Sequence, residues 1–334
     1  MKIQEISLFA IQGFKAGHAH DSEGGTGVSV FLFDKLSPVG CDIRGGGPAS
    51  RETPLLDPQR GAGGLHALVL SGGSAFGLDA SGGVLRYLEE RGIGFDVGVT
   101  RVPLVCHSCI FDLAVGSPYI RPTREMAYEA CQNARNDFFK EGCVGAGIGA
   151  STGKICGMEY AMKTGIGAYA AECNGIQVGA VVVLNALGDV FIPETGQKIA
   201  GLLAPDKKSF SAERTVQTEF LKFLSKEEQN IFAQKESIAN TTLGIVFTNA
   251  RFDKAGLAKI SSVTHNAFAR VISPVHTMAD GDTVYTVSLG QKETDINALG
   301  VLSTLVMEKA LIRAVTTAVP LYGLKSYSDI IDNQ

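Results

Sequence analysis

The chain has no basic run longer than a pair of lysines, and its formal net charge is -4, so it offers no positive stripe of the kind nucleic acid requires. It also has no stretch near the roughly 18 uninterrupted apolar residues of a membrane-spanning helix, and its first residues lack an apolar signal core. These absences predict a cytoplasmic protein with neither a nucleic-acid nor a membrane partner. Proline is scarce, eleven residues against forty glycines, which implies tight turns and close backbone approaches rather than disorder. The seven cysteines are odd in number and scattered over 334 residues, which argues against a disulfide framework. Cys106 and Cys109 have the spacing of a redox pair or half a zinc site, but no second Cys-x-x-Cys completes a ligand set. They read as reduced structural thiols, and no metal or cofactor is expected.

Hydrophobic residues make up 45% of the chain, enough for a substantial core. Residues 28–33, 66–70, 176–184 and 242–248 are apolar, largely β-branched runs of strand type. After the turn Ser71-Gly72-Gly73-Ser74, Leu78, Leu85 and Leu88 share one helical face; residues 124–140, 254–269 and 298–318 also read as helices. Strands and helices in this order predict an α/β fold. Between 206 and 239 lysine, glutamate, glutamine and serine dominate, which marks a linker in which Phe220, Leu221 and Leu224 can form one face of a short helix.

That linker ends at Asn240-Thr241-Thr242-Leu243-Gly244-Ile245-Val246, where a polar stretch gives way to an apolar strand. A cut between Asn240 and Thr241 would place a hydroxyl and a free α-amine on one residue at the head of a strand. An α-amine titrates at roughly 7.7 to 8.0 and can act as general base near neutral pH, so such a threonine needs no histidine to be a nucleophile. Thr242, its neighbour, points to the opposite face.

Several runs set this threonine in a wider pattern: Ile43-Arg44-Gly45-Gly46-Gly47-Pro48 with Arg51-Glu52-Thr53 and Leu56-Asp57-Pro58; Leu70-Ser71-Gly72-Gly73-Ser74-Ala75-Phe76-Gly77-Leu78-Asp79; Ile110-Phe111-Asp112-Leu113; and Pro274-Val275-His276-Thr277 with Asp280-Gly281-Asp282-Thr283. In this order, from about Gly17 to about Gly290, they resemble the L-aminopeptidase/D-esterase family of N-terminal nucleophile hydrolases, whose relatives include β-aminopeptidases and the nylon-oligomer hydrolase. The resemblance implies a layered α/β sandwich with sheets between helical layers. It also implies self-cleavage into a larger chain, residues 1–240, and a smaller one, 241–334, which together form one compact domain. A homo-oligomer, a tetramer of processed pairs, is implied as well, acting on small peptides, amides or esters through an acyl-enzyme on Thr241.

The same resemblance assigns site residues. Asn185 matches an asparagine whose amide donates to the oxyanion, and Lys163 matches a lysine near the nucleophile, whose charge would help keep the α-amine neutral. Asp280 and Asp282 match the acidic pair of the nylon-oligomer hydrolase, where aminopeptidases place a hydroxyl and an acid; close to the α-amine they would orient it or a substrate amine. The family's second oxyanion donor, a tyrosine, has no evident counterpart, and Phe111 is expected in its neighbourhood without a hydroxyl. The run Cys106-His107-Ser108-Cys109 departs from the small residues or proline of relatives.

Two rival motifs fail on spacing. A nucleophile elbow centred on Ser74 would need glycine where Phe76 stands, so Ser74 is assigned to close packing or to the substrate pocket. A phosphate loop over 145–154 would need glycine at Ile148 and a hydroxyl at Ile155. Two alternatives share the threonine chemistry: an acyltransferase of the ornithine acetyltransferase type, and a hydrolase of ω-amino acid oligomers.

Overall fold

The computed structural model describes residues 2–211, 213–225 and 240–331. Eleven strands make two sheets: β1 (Gln4–Glu5), β2 (Phe14–Asp21), β3 (Thr26–Ser37), β4 (Val39–Ile43), β5 (Ala49–Arg51), β6 (Leu65–Ser71), β7 (Val105–Cys109), β8 (Ile166–Cys173), β9 (Ile176–Asn185), β10 (Thr241–Ala250) and β11 (Thr283–Lys292). One sheet runs β1-β8-β9-β10-β11-β4, the other β2-β3-β6-β7-β5. Four main helices, α1 (Ser81–Glu89), α2 (Arg124–Gln132), α3 (Lys254–Val271) and α4 (Ile296–Thr316), cover the outer faces.

Residues buried on both faces of the central strands give this layering. Phe14, Phe31, Leu68 and Leu70 of one sheet meet Val181, Val183, Leu243, Ile245, Phe247 and Tyr285 of the other. Phe247 stacks on Phe14 with ring centroids 4.2 Å apart and also touches Phe31 at 5.7 Å. Alternate residues of the first sheet, Val182, Leu184, Val246 and Val284, pack against Leu257, Phe268, Met307 and Leu311 of α3 and α4. On the far side Val28, Val30 and Val69 meet Val84 and Leu88 of α1 and Ala127 of α2. The order is helix, sheet, sheet, helix, the sandwich that the family resemblance implies.

Both long helices start on a carboxylate: Asp253 accepts from Gly256 N, and Asp295 from Asn297 N and Ala298 N. Glycine lets α3 sit close to β4, since a Cβ on Gly40 would lie 2.1 Å from Ala258 N.

Three expectations shift. The helix expected over 124–140 stops at Gln132, because Arg135 exchanges both backbone hydrogen bonds with Ala16 of β2. Leu78 belongs to a separate 3₁₀ turn, Leu78–Ala80, and Val84 and Leu88 carry the buried face of α1. In the segment read as a linker, a helix spans Val216–Lys222 behind a Thr215/Thr218 capping box. Its packed face is Val216, Phe220 and Phe223, while Leu221 and Leu224 are exposed. Most of the rest of that segment, residues 226–239, lies outside the described residues.

Phe247→Ala removes the ring that joins the two sheets. It should cost about 3 to 5 kcal/mol of unfolding free energy, measured by urea denaturation of the purified chain.

Candidate active site

Thr241 is the first residue of β10, and its face follows from strand alternation. Leu243, Ile245 and Phe247 lie between the sheets, so Thr241 shares that side, and Thr242 with Val246 faces the helices. In the antiparallel register of β9 with β10, Asn185 stands directly opposite Thr241. Val181 and Val183 place Asn185 on the same inter-sheet face.

The backbone before Thr241 is fixed by the loop ahead of β11. Asn240 pairs with Asp280 in a parallel bridge: Asn240 N donates to Ala279 O and Gly281 N to Asn240 O, both at 2.8 Å. The Thr241 hydroxyl donates to the same Asn240 carbonyl oxygen at 2.5 Å. A Cβ on Gly281 would stand 2.5 Å from the Thr241 hydroxyl oxygen, so this position requires glycine. Thr241 is only 3% exposed. The loop in turn is gripped by the glycine-rich turn after β4, through Arg44 N to Asp282 O at 3.0 Å and Gly47 N to Asp280 O at 2.8 Å.

The two aspartates have different partners. Asp280 Oδ2 accepts from Thr277 N at 2.8 Å and from the Thr277 hydroxyl at 2.5 Å. Burial, and then the neighbouring Asp282 charge, push the Asp280 carboxyl up to about 6 against these bonds and the charge of Lys154. Asp282 Oδ1 accepts from Thr242 N at 2.8 Å, and Oδ2 from His276 Nδ1 at 2.8 Å and His276 N at 3.2 Å.

Around Asn185 the side-chain amide is oriented by its partners. Oδ1 accepts from Lys154 Nζ at 2.7 Å and Ser151 N at 3.1 Å, and Nδ2 donates to Phe111 O at 2.9 Å. An amide nitrogen has two hydrogens, so one remains beyond the bond to Phe111 O. Burial lowers the Lys154 ammonium to about 7, although Asp280 and Asp112 hold it up. Asp112 accepts from Gly73 N at 2.7 Å and from the Thr26 hydroxyl at 2.8 Å, and burial raises its carboxyl to about 6.

The structure thus brings Thr241, Asn185, Asp280 and Asp282 to one end of the central strands. Lys163 is buried too, and burial lowers it to about 8, but its ammonium donates to the carbonyls of Thr164, Ala150 and Gly147 at 2.5, 2.9 and 3.3 Å. Those bonds tie down the glycine-rich turn; the cation that touches Asn185 is Lys154, noted in the sequence only as the end of a failed phosphate-loop pattern. Half-buried Phe111 contributes its carbonyl, and half-buried Ser74, at φ 52°, donates its N–H to Ile110 O beside it. Cys106 and Cys109 lie on opposite faces of β7, so one ion cannot take both thiols. Cys106 donates to Glu52 O, and Cys109 bonds the Ser71 hydroxyl. Sequence reasoning gave no role to Lys154, Asp112 or His276, although Asp112 and His276 stand in the runs that carry the family resemblance.

Comparison with known proteins identifies the family and the fold. The model of peptidase family S58 fits residues 7–328. An uncharacterized aminopeptidase of Mycobacterium tuberculosis is 34% identical, covering 97% of this chain and 97% of its own. The 6-aminohexanoate-oligomer endohydrolase of Agromyces sp. is 28% identical over 93% of this chain and 86% of its own length. Among solved structures, the β-aminopeptidase of Burkholderia sp. superposes with a TM-score of 0.68 at 15% identity, over 98% of this chain and 92% of that one. The L-aminopeptidase D-Ala-esterase/amidase of Ochrobactrum anthropi, described as a variant of the Ntn hydrolase fold, gives 0.68 at 15% identity, over 93% and 86%. No helix among the described residues is long and apolar enough to cross a membrane. With a family model spanning nearly its whole length and a relative of similar size at 34% identity, the chain belongs to peptidase family S58.

Proposed function

We propose that the chain cuts itself between Asn240 and Thr241, and that Thr241 then serves as both nucleophile and base of a hydrolase for short aminoacyl amides, peptides or esters. The observation that carries this reading is the shared Asn240 carbonyl: the Thr241 hydroxyl lies against its oxygen, and the Gly281 N–H donates to the same atom. In maturation the Thr241 oxygen attacks the Asn240 carbonyl carbon, and the oxygen that gains charge keeps the Gly281 N–H as donor. The C–N bond breaks, the amine takes the proton lost by the hydroxyl, and water hydrolyses the resulting ester. That leaves a carboxylate on Asn240 and a free amine on Thr241.

In turnover that amine takes the hydroxyl proton, the Thr241 oxygen forms an ester with the acyl part of the substrate, and the leaving amine takes the proton away. The remaining N–H of Asn185, held in orientation by Lys154 and Ser151, donates to the oxyanion before water releases the acid. Family membership favours hydrolysis over acetyl transfer. The relatives named 6-aminohexanoate-oligomer endohydrolases, together with the Asp280 and Asp282 pair, bring ω-amino acid amides within the substrate range to be assayed.

Intact mass of the purified protein tests the first half: the expected species are residues 1–240 and 241–334, with Thr241→Ala remaining one chain. An uncut wild-type protein that hydrolyses aminoacyl p-nitroanilides at full rate would refute the mechanism.

Asn185→Ala should lower kcat by about 10²- to 10³-fold with little change in KM, since the donor acts on charge that develops in the transition state. The processed fraction is quantified alongside, and a fully processed variant with wild-type kcat would remove Asn185 from the reaction. EDTA should leave the rate unchanged, because every proposed acid, base and donor is an organic group; loss restored by zinc would contradict this.

A further inference from the structure

His276 takes no part in the chemistry described so far, yet its conformation is costly. It sits at φ 58°, in the left-handed region that a histidine seldom occupies, and there its backbone N–H and its Nδ1 meet the same Asp282 oxygen. Both bonds fall on Oδ2, so ring and backbone together hold one carboxylate oxygen. Nε2 is buried without a hydrogen-bond partner among the described residues, and the ring packs edge-on against His265, centroids 4.8 Å apart, and stacks against Phe268. The imidazole is thus held by Asp282 at one nitrogen and enclosed at the other. What the strained turn secures is the orientation of Asp282, whose second oxygen holds the Thr242 amide at 2.8 Å.

We propose that His276 is a positioning residue: it locks the Asp282 carboxylate so that Oδ1 grips the Thr242 N–H and fixes where Thr241 stands at the head of β10. On this view Asp282 is a brace and does not accept the nucleophile's proton. The inference rests on the reading of Thr241 as nucleophile, and Thr241→Ala is carried as a parallel control. If that control still hydrolyses aminoacyl p-nitroanilides, the nucleophile reading falls; if it is inactive, the His276 variants decide the present inference alone.

Two variants of the full chain separate the side-chain donor from backbone strain. His276→Gly removes the ring and tolerates positive φ, while His276→Asn restores a donor near Nδ1 and also tolerates that conformation. The glycine variant should process more slowly, and its processed fraction should lose about 10²-fold in kcat with KM nearly unchanged, the cost of a small misplacement of a reacting group. The asparagine variant should process fully and keep kcat within about threefold of wild type. Wild-type kcat in the processed glycine variant would overturn the proposal, as would an asparagine variant as slow as the glycine one with wild-type circular dichroism. Should the glycine variant fail to fold, the asparagine variant decides alone: retained kcat supports the lock, and a 10²-fold loss sinks it.

Discussion

The register of β10 between two strands of opposite sense is the constraint on which the site depends. Antiparallel β9 sets Asn185 across from Thr241, and parallel β11 brings the turn at 280–282 beside Asn240. Slipping β10 by one residue would turn Thr241 to the helices and put Thr242 between the sheets. The same slip would replace Leu243, Ile245 and Phe247 in the inter-sheet core with Gly244, Val246 and Thr248, leaving a gap where Phe247 stacks on Phe14. Packing well away from the site therefore aims the hydroxyl.

That register alone would leave the Asn240 carbonyl free to rotate. Two turns of different origin prevent it. The Thr277 to Asp280 turn presents the Gly281 N–H to the carbonyl, and the glycines after β4 clamp the turn from behind through Gly47 N and Arg44 N. Gly281 has to be small because the Thr241 oxygen occupies the space a Cβ would fill. Backbone groups perform most of this alignment, and they cost no side-chain entropy to hold in place.

The α/β order was legible because the central strands are largely buried on both faces and read as mostly apolar runs, as in 28–33 and 176–184, while the layering came from the family resemblance. The reading failed where tertiary pairing overrides local preference: residues 133–140 look helical, but Arg135 is drawn into pairing with Ala16. Thr241 stood out through the change in composition at residue 240, and Asp280 and Asp282 through the family resemblance. Lys154 was not legible, since its meaning lies in reaching Asn185, 31 residues away, and no periodicity marks it. His276 was visible as a residue of a quoted run, but its lock on Asp282 depends on a backbone angle that sequence does not display.

The buried charges separate function from support. Asp189 is also fully buried, but it is satisfied by Lys198 at 2.7 Å and by the backbone N–H groups of Leu202 and Val216, a closed set that ties loops together. A second set of buried charges is linked to the strand opposite Thr241. Lys154, Asp112 and Asp280 are driven by burial toward the same narrow range, about 7, 6 and 6, and each feels the charge of another. Burial shifts Asp189 up and Lys198 down in the same way, so the two sets differ in what they touch and not in the direction of these shifts. Burying three ionisable groups costs folding free energy, and part of that cost falls where Lys154 Nζ donates to the Asn185 amide oxygen, directly across from Thr241.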